Sequence, residues 1–159
     1  MPNVPGLRSP YVKVGRLVYF GRMLDKIRLH AEGKLPPEYV ANLGDEKPGM
    51  FDTRCCAFLR VKFAELQTRV LAGGLNDEQL LAWCHERGGP RTDEECYTWN
   101  CFLIKRGWRD EASDRIIFRL KESGIEHRDK EAVTMFDYID IDEGRTPPDF
   151  SQWEPPRIK

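Results

Sequence analysis

The chain has 159 residues, and its 25 basic and 26 acidic side chains leave a net charge of −1. A balance this even gives no electrostatic footprint for nucleic acid and no attraction to anionic membranes. Hydrophobic residues make up 40% of the sequence. This length and composition suit one globular domain that buries its own core without a metal or disulfide staple.

No apolar run reaches the roughly 18 residues that a membrane-spanning helix needs. The first ten residues lack the basic start and the apolar core of a signal peptide. We therefore expect a cytoplasmic protein, in which the five cysteines are free thiols. No C-x-x-C pair occurs among them, so we predict neither a metal site nor a cofactor.

Residues 16–32 have the period of a helix, with two apolar stripes instead of one. The first stripe has spacings of three and four: Leu17, Phe20, Leu24, Ile27 and Ala31. Val18 and Leu29 form the second stripe, and Arg22 and Asp25 lie between the two. A helix that only covers a domain has one apolar face. The pattern therefore predicts a central helix that packs on both sides.

Irregular segments flank this helix. Residues 1–15 hold three prolines and two glycines, which predicts an extended arm. Residues 34–50 form a long loop, which is uncommon inside a compact domain. A helical period returns over residues 51–72, with Asp52 as a candidate N-cap. That stretch fits either one helix or two, with a break near residues 60–62.

Three further helices have clear start signals: Asn76 with Gln79, Thr92 with Glu95, and Asp110. Residues 132–141 fit a short helix better than a strand. The chain is thus predicted to be all-α, a single compact multi-helix domain over residues 1–145. A proline-rich tail follows at residues 146–159.

The charged strip of the central helix is the sequence feature that indicates a site. Arg22, Asp25 and Lys26 are within reach of one another at helical spacing, and Arg8 arrives from the arm. One interpretation is a structural ion pair within this helix, which satisfies Arg22 and Asp25 between the packed helices. The other is a pocket for a small anionic ligand or a partner segment, in which Asp25 holds an arginine fork in place.

Two other classes of function stay open at this point. In an enzyme, Asp25 would act as the general base with Lys26 or Tyr19 as its partner. In a structural interaction protein, Trp108, Trp153 or the loop at residues 35–50 would form the contact surface. The oligomeric state is open as well.

Several short motifs resemble a known family. They are Leu7-Arg8-Ser9-Pro10, the run from Arg22 to Arg28, Gly33-Lys34-Leu35, Asn76-Asp77-Glu78, Trp99-Asn100, Phe136-Asp137 and the run from Asp142 to Arg145. Together they resemble the domain-of-unknown-function 5069 family over residues 7–146. The resemblance implies a small, mostly helical, bacterial cytoplasmic domain and no particular activity. It also implies a helix-ending glycine near position 60, where this chain has Arg60.

Overall fold

The computed structural model describes residues 3–149, and the all-α prediction is confirmed for them. The helices in chain order are α1 (Phe20–Ala31), α2 (Pro37–Val40), α3 (Phe51–Leu59), α4 (Phe63–Leu71), α5 (Asp77–Gly88), α6 (Asp93–Lys105), α7 (Ser113–Glu122) and α8 (Met135–Asp142). A 3-10 turn, Glu126–Arg128, lies between α7 and α8. No strand forms within residues 3–149; an isolated bridge joins Val14 and Leu17.

These residues divide into two compact units. The first is Val4–Asp93, which contains α1 to α5, and the second begins at Glu94. The single domain over residues 1–145 stays a prediction. Residues 150–159, most of the predicted tail and its Trp153, lie outside the described residues.

Helix α1 begins at Phe20, later than the periodicity predicted. Val14 and Leu17 exchange two backbone hydrogen bonds of 3.0 Å, which fold residues 14–17 into a turn. Tyr19 then has a positive φ of 71°, which no helix accommodates. Nine of the 12 residues of α1 are buried, as expected of a helix with two apolar stripes, although Ala31 at its end is exposed.

The flanking segments of the first unit pack against α1. They form one apolar cluster, made of Val4, Leu7, Leu29, Leu35 and Tyr39. The predicted long loop is interrupted by the short helix α2, whose Tyr39 is buried. The arm and the loop are therefore attached to the core by their own apolar side chains.

Residues 51–72 form two helices, which settles the question that the sequence left open. Arg60 ends α3 in the left-handed conformation, with φ 57° and ψ 40°. The Val61 N–H returns to the Cys56 carbonyl at 3.1 Å, the long bond of a Schellman motif. Arg60 occupies the position that glycine usually fills in this motif. The break between α3 and α4 therefore forms without the glycine that the family resemblance implied.

The second unit confirms the short helix over residues 132–141 and corrects one helix start. Thr134 and Asp137 form a capping box at the beginning of α8. Helix α7 begins at Ser113, and Asp110 instead closes the preceding turn. Its carboxylate accepts hydrogen bonds from the Gly107 and Ala112 N–H groups at 2.9 and 2.8 Å.

We predict that Arg60→Gly stabilises the protein by about 0.5–1 kcal/mol. The left-handed conformation strains an arginine more than the added backbone entropy of glycine costs. Urea denaturation measures the change, and Arg69→Gly, inside α4, is the control that should lose about 1 kcal/mol. A loss of stability in Arg60→Gly would contradict the assigned strain.

Candidate functional site

An ionic network joins the arm, α1 and the start of α5. Arg8 binds both carboxylate oxygens of Asp25 through Nε and Nη2, each at 2.7 Å, and its backbone N–H adds a third bond of 3.1 Å. Arg8 and Arg28 each donate to Asp77 at 2.7 Å. Arg28 also lies 3.7 Å from Asp25. These four residues, called the arm network below, alternate in charge and leave no net charge.

A second group of polar side chains lies in the core of the first unit. Lys26 Nζ is 2.8 Å from Asp52 Oδ1, and the Tyr19 hydroxyl donates to the same oxygen at 2.6 Å. The other Asp52 oxygen accepts the Gly44 N–H at 3.0 Å. The Lys26 and Asp52 side chains are only 5% and 0% exposed. We call Tyr19, Lys26 and Asp52 the core cluster.

Arg22, which also lies on α1, connects this helix to the arm. Its Nη1 donates to the Arg8 carbonyl at 2.9 Å, and its guanidinium lies 5.9 Å from the centre of the Tyr39 ring. The residue is 3% exposed. Arg22 thus holds the arm and α2 against α1.

Burial raises the pKa of the Tyr19 phenol well above its ordinary value, and the Asp52 charge raises it further. Burial also lowers the pKa of Lys26, against the opposing influence of Asp52. Burial raises the pKa of the Cys55 thiol in the same way. Tyr19 and Cys55 therefore keep their protons, and the phenol serves Asp52 as a neutral donor.

The structure divides three of the four predicted site residues between the arm network and the core cluster, and the fourth, Arg22, binds the Arg8 carbonyl. Arg8 and Asp25 bind each other, while Lys26 reaches Asp52 in the core. Consecutive residues of a helix point about 100° apart, which explains why Asp25 and Lys26 diverge. Arg22, Asp25 and Lys26 are between 3% and 7% exposed, so the strip lies where water is scarce.

Sequence reasoning missed the roles of Asp52 and Asp77. Asp52 was interpreted as an N-cap, but the N-cap of α3 is Met50 and Asp52 turns into the core. Asp77 follows the N-cap Asn76, and in the sequence it belongs only to the Asn76-Asp77-Glu78 motif of the family resemblance. Each is an acid in the first turn of a helix, a position that the helix dipole explains by itself.

An open groove lies beside the arm network, with a volume of about 520 Å³. Its lining residues are Pro5, Gly6, Asp25, Arg28, Leu29, Glu32 and Lys34. The Arg28 and Lys34 side chains are 35% and 67% exposed. The volume falls within the range of roughly 300–1,000 Å³ that is usual for small-molecule sites.

Asp25 lines this groove but is poorly placed to act as a base. Both of its oxygens accept charged N–H groups of Arg8. Protonation of the carboxylate would weaken both bonds. Asp25 therefore acts as an anchor for the arm.

Residues 3–149 include all three histidines and all five cysteines of the chain. No group of three His, Cys, Asp or Glu side chains there is arranged to hold a metal ion. None of the helices in that range combines the length and apolar character of a bilayer-spanning segment. All five cysteines are free, and four of them are buried.

The fold and the site define a small all-α protein in which an N-terminal helix binds its neighbours through two ionic networks, one buried and one partly exposed. The chain belongs to the family described as Domain of unknown function (DUF5069), whose sequence profile matches residues 4–145. The resemblance noted in the sequence is thus confirmed, while a bacterial origin and a cytoplasmic location stay predictions. No curated protein matches the chain, and no solved structure matches it.

We predict that Lys26→Met destabilises the protein by about 3–5 kcal/mol, because it leaves the buried Asp52 charge without its cation. Adding Asp52→Asn removes that charge and should recover part of the loss. Guanidinium denaturation gives the free energies of unfolding. Lys62→Met, at an exposed lysine, is the control and should change stability by under about 0.5 kcal/mol. A similarly small effect of Lys26→Met would contradict the pairing.

Because of the arm network, we predict that the free energy of unfolding depends on pH in the acid range. Partial burial raises the pKa of Asp77, but hydrogen bonds and charge from Arg28 and Arg8 outweigh it and hold the pKa below its ordinary 3.8. The folded state therefore favours the carboxylate, and this stabilisation is lost as pH falls through the lowered pKa.

Asp77→Asn should make the unfolding free energy less dependent on pH below the ordinary pKa of 3.8. Urea denaturation at a series of acid pH values measures this slope. Glu46→Gln, at an exposed residue of the loop, should leave the slope unchanged. An equal slope in Asp77→Asn and wild type would refute the linkage.

Proposed function

We propose that this chain is a cytoplasmic binding or regulatory domain that holds a small anionic ligand, a carboxylate or a phosphate, in the groove beside the arm network. The observation that carries the proposal is an open cavity with two solvent-accessible cationic side chains on its wall: Arg28, which is half-buried, and Lys34, which is exposed and pairs with Glu32 at 2.6 Å. An anionic end of a partner chain would satisfy the same chemistry. Because the net charge of the whole molecule is close to zero, the preference for an anion comes from the groove alone.

Arg28 is held in a fixed orientation before any ligand arrives. Asp77 accepts one of its Nη2 hydrogens at 2.7 Å, and Asp77 is itself held by Arg8. A guanidinium has five N–H donors in a rigid fork, so donors remain for a ligand. An arginine fixed by a carboxylate suits planar, bidentate recognition of carboxylate or phosphate.

The charges around the groove favour an anion. With all groups charged, the two networks, Arg22 and the groove wall contain five cations and four carboxylates. They are Arg8, Arg22, Lys26, Arg28 and Lys34 against Asp25, Glu32, Asp52 and Asp77. The two carboxylates of the groove wall, Asp25 and Glu32, already bind Arg8 and Lys34, so they oppose an anion less than free carboxylates would.

The predicted site residues have supporting roles in this proposal. Arg8 and Asp25 fix the arm, which forms one wall of the groove. Arg22 and Lys26 contribute positive charge from the buried side. Gly6, in this wall, has a φ of +85°, which lets the arm turn along the groove.

Thermal unfolding with inorganic phosphate, citrate and acetate at constant ionic strength tests the proposal. At concentrations about 100 times the dissociation constant, we expect the wild-type Tm to rise by about 5–11 °C. Lys34→Gln should reduce this shift, because it removes an exposed groove cation; the ion pair with Glu32 that it also removes is exposed and contributes little to stability. Lys62→Gln is the matched control outside the groove and should keep the full shift.

The Arg28→Gln variant tests the second groove cation and should lose most of the shift. Arg28 also supports the arm network, so its Tm without anion must be compared as well. No shift with any of the three anions would remove the proposed function. Equal shifts in wild type, Lys34→Gln and Arg28→Gln would place anion binding elsewhere.

A further inference from the structure

Helix α7 has two apolar faces, and only one of them is covered. Ile116 and Leu120 are 4% and 3% exposed and pack in the apolar cluster of the second unit. On the outer face, Ile117 and Phe118 are 67% and 60% exposed, the highest values among the exposed large hydrophobic residues of the described range. Two adjacent residues of this kind on a helix surface are typical of an interface.

Charged residues of opposite sign lie at the two ends of this outer face. Asp114, Ile117, Phe118 and Lys121 follow the spacing i, i+3, i+4 and i+7, which forms one stripe on a helix. Asp114 and Lys121 are exposed, and neither makes an ion pair with a residue in the range 3–149. The stripe therefore reads acidic, apolar, apolar, basic along α7.

We propose that two copies of this chain associate through α7, with the two helices antiparallel about a two-fold axis that passes between Ile117 and Phe118. A two-fold interface makes each contact twice, so every residue must suit the residue equally distant on the other side of the axis. Ile117 then meets the partner's Phe118. Asp114 meets the partner's Lys121, and the reciprocal pair forms at the other end.

Charge complementarity selects a second copy as the occupant. The stripe is complementary to itself only when the second helix runs in the opposite direction; parallel helices would place Asp114 against Asp114. The stripe has no net charge, so a polyanion such as nucleic acid or an anionic membrane gains no attraction from it. Another copy satisfies both its apolar centre and its charged ends.

The size of the contact sets the expected strength. A helix of ten residues is about 15 Å long. It buries less than the roughly 1,200–2,000 Å² of a standard stable interface. Interfaces of this size are typical of weak, transient association, so we expect a dissociation constant of about 10 µM or above.

Sedimentation equilibrium of the full chain, from about 1 µM to 1 mM, tests this arrangement. The average mass should rise from the 18.5 kDa of one chain towards twice that value. Ile117→Glu should hold the protein at the monomer mass, because it buries charge at the centre of the interface. Leu71→Glu, at a 49% exposed leucine of α4, is the matched control and should dimerise as wild type does.

A charge exchange tests the antiparallel register itself. Asp114→Lys and Lys121→Asp each place like charges opposite one another twice, and each should weaken the dimer about ten-fold. The double variant restores opposite charges and should dimerise like wild type. Each exchange also opposes the dipole of α7. If a less stable α7 were the cause of the weaker dimerisation, the double variant would have the weakest dimer of the three variants.

Circular dichroism at 1 µM shows whether each variant keeps its helices. A mass of 18.5 kDa at every concentration would overturn the proposal. The same result would be expected if another segment of the chain covered the outer face of α7. A dimer that Ile117→Glu leaves intact would also overturn it. Failure of the double variant to recover would refute the antiparallel register.

Discussion

The structure depends on the need to neutralise charges that α1 carries into the core. Asp25 and Lys26 are consecutive and point in different directions, so one partner cannot serve both. Arg8 from the arm binds Asp25, and Asp52 from α3 binds Lys26. An unpaired charge at such depth would cost several kcal/mol. This requirement fixes the arm and α3 against α1 more specifically than apolar contact alone.

The groove follows from the same pairing. Because Arg8 binds Asp25 with two side-chain bonds, the arm runs along α1 and becomes a wall. Asp77 extends the arm network to the start of α5 and orients Arg28 at the groove. Asp25 is thus paired with Arg8 and Lys26 with Asp52, and the accessible cations beside them are the ones proposed to bind a ligand.

Helices α1 and α7 each have a second apolar face, but that face is buried in α1 and exposed in α7. Both faces of α1 are buried, and its polar strip is paired with groups from distant segments. Only one face of α7 is covered, while Ile117 and Phe118 remain exposed. Periodicity reveals that a face exists, and burial decides whether it belongs to the core or to an interface.

The amino-acid sequence by itself determined the local features of this protein. The all-α class, the Asn76 capping box, the short helix α8 and the burial of the charged strip follow from periodicity and from contacts within a few residues. Tertiary structure alone decided which groups pair, as in the bond from Arg8 to Asp77, 69 positions away. It also turned Asp52 inward and forced Arg60 into a left-handed break. Local patterns fix helices, whereas the partner of a buried charge depends on which segments the packed core brings together.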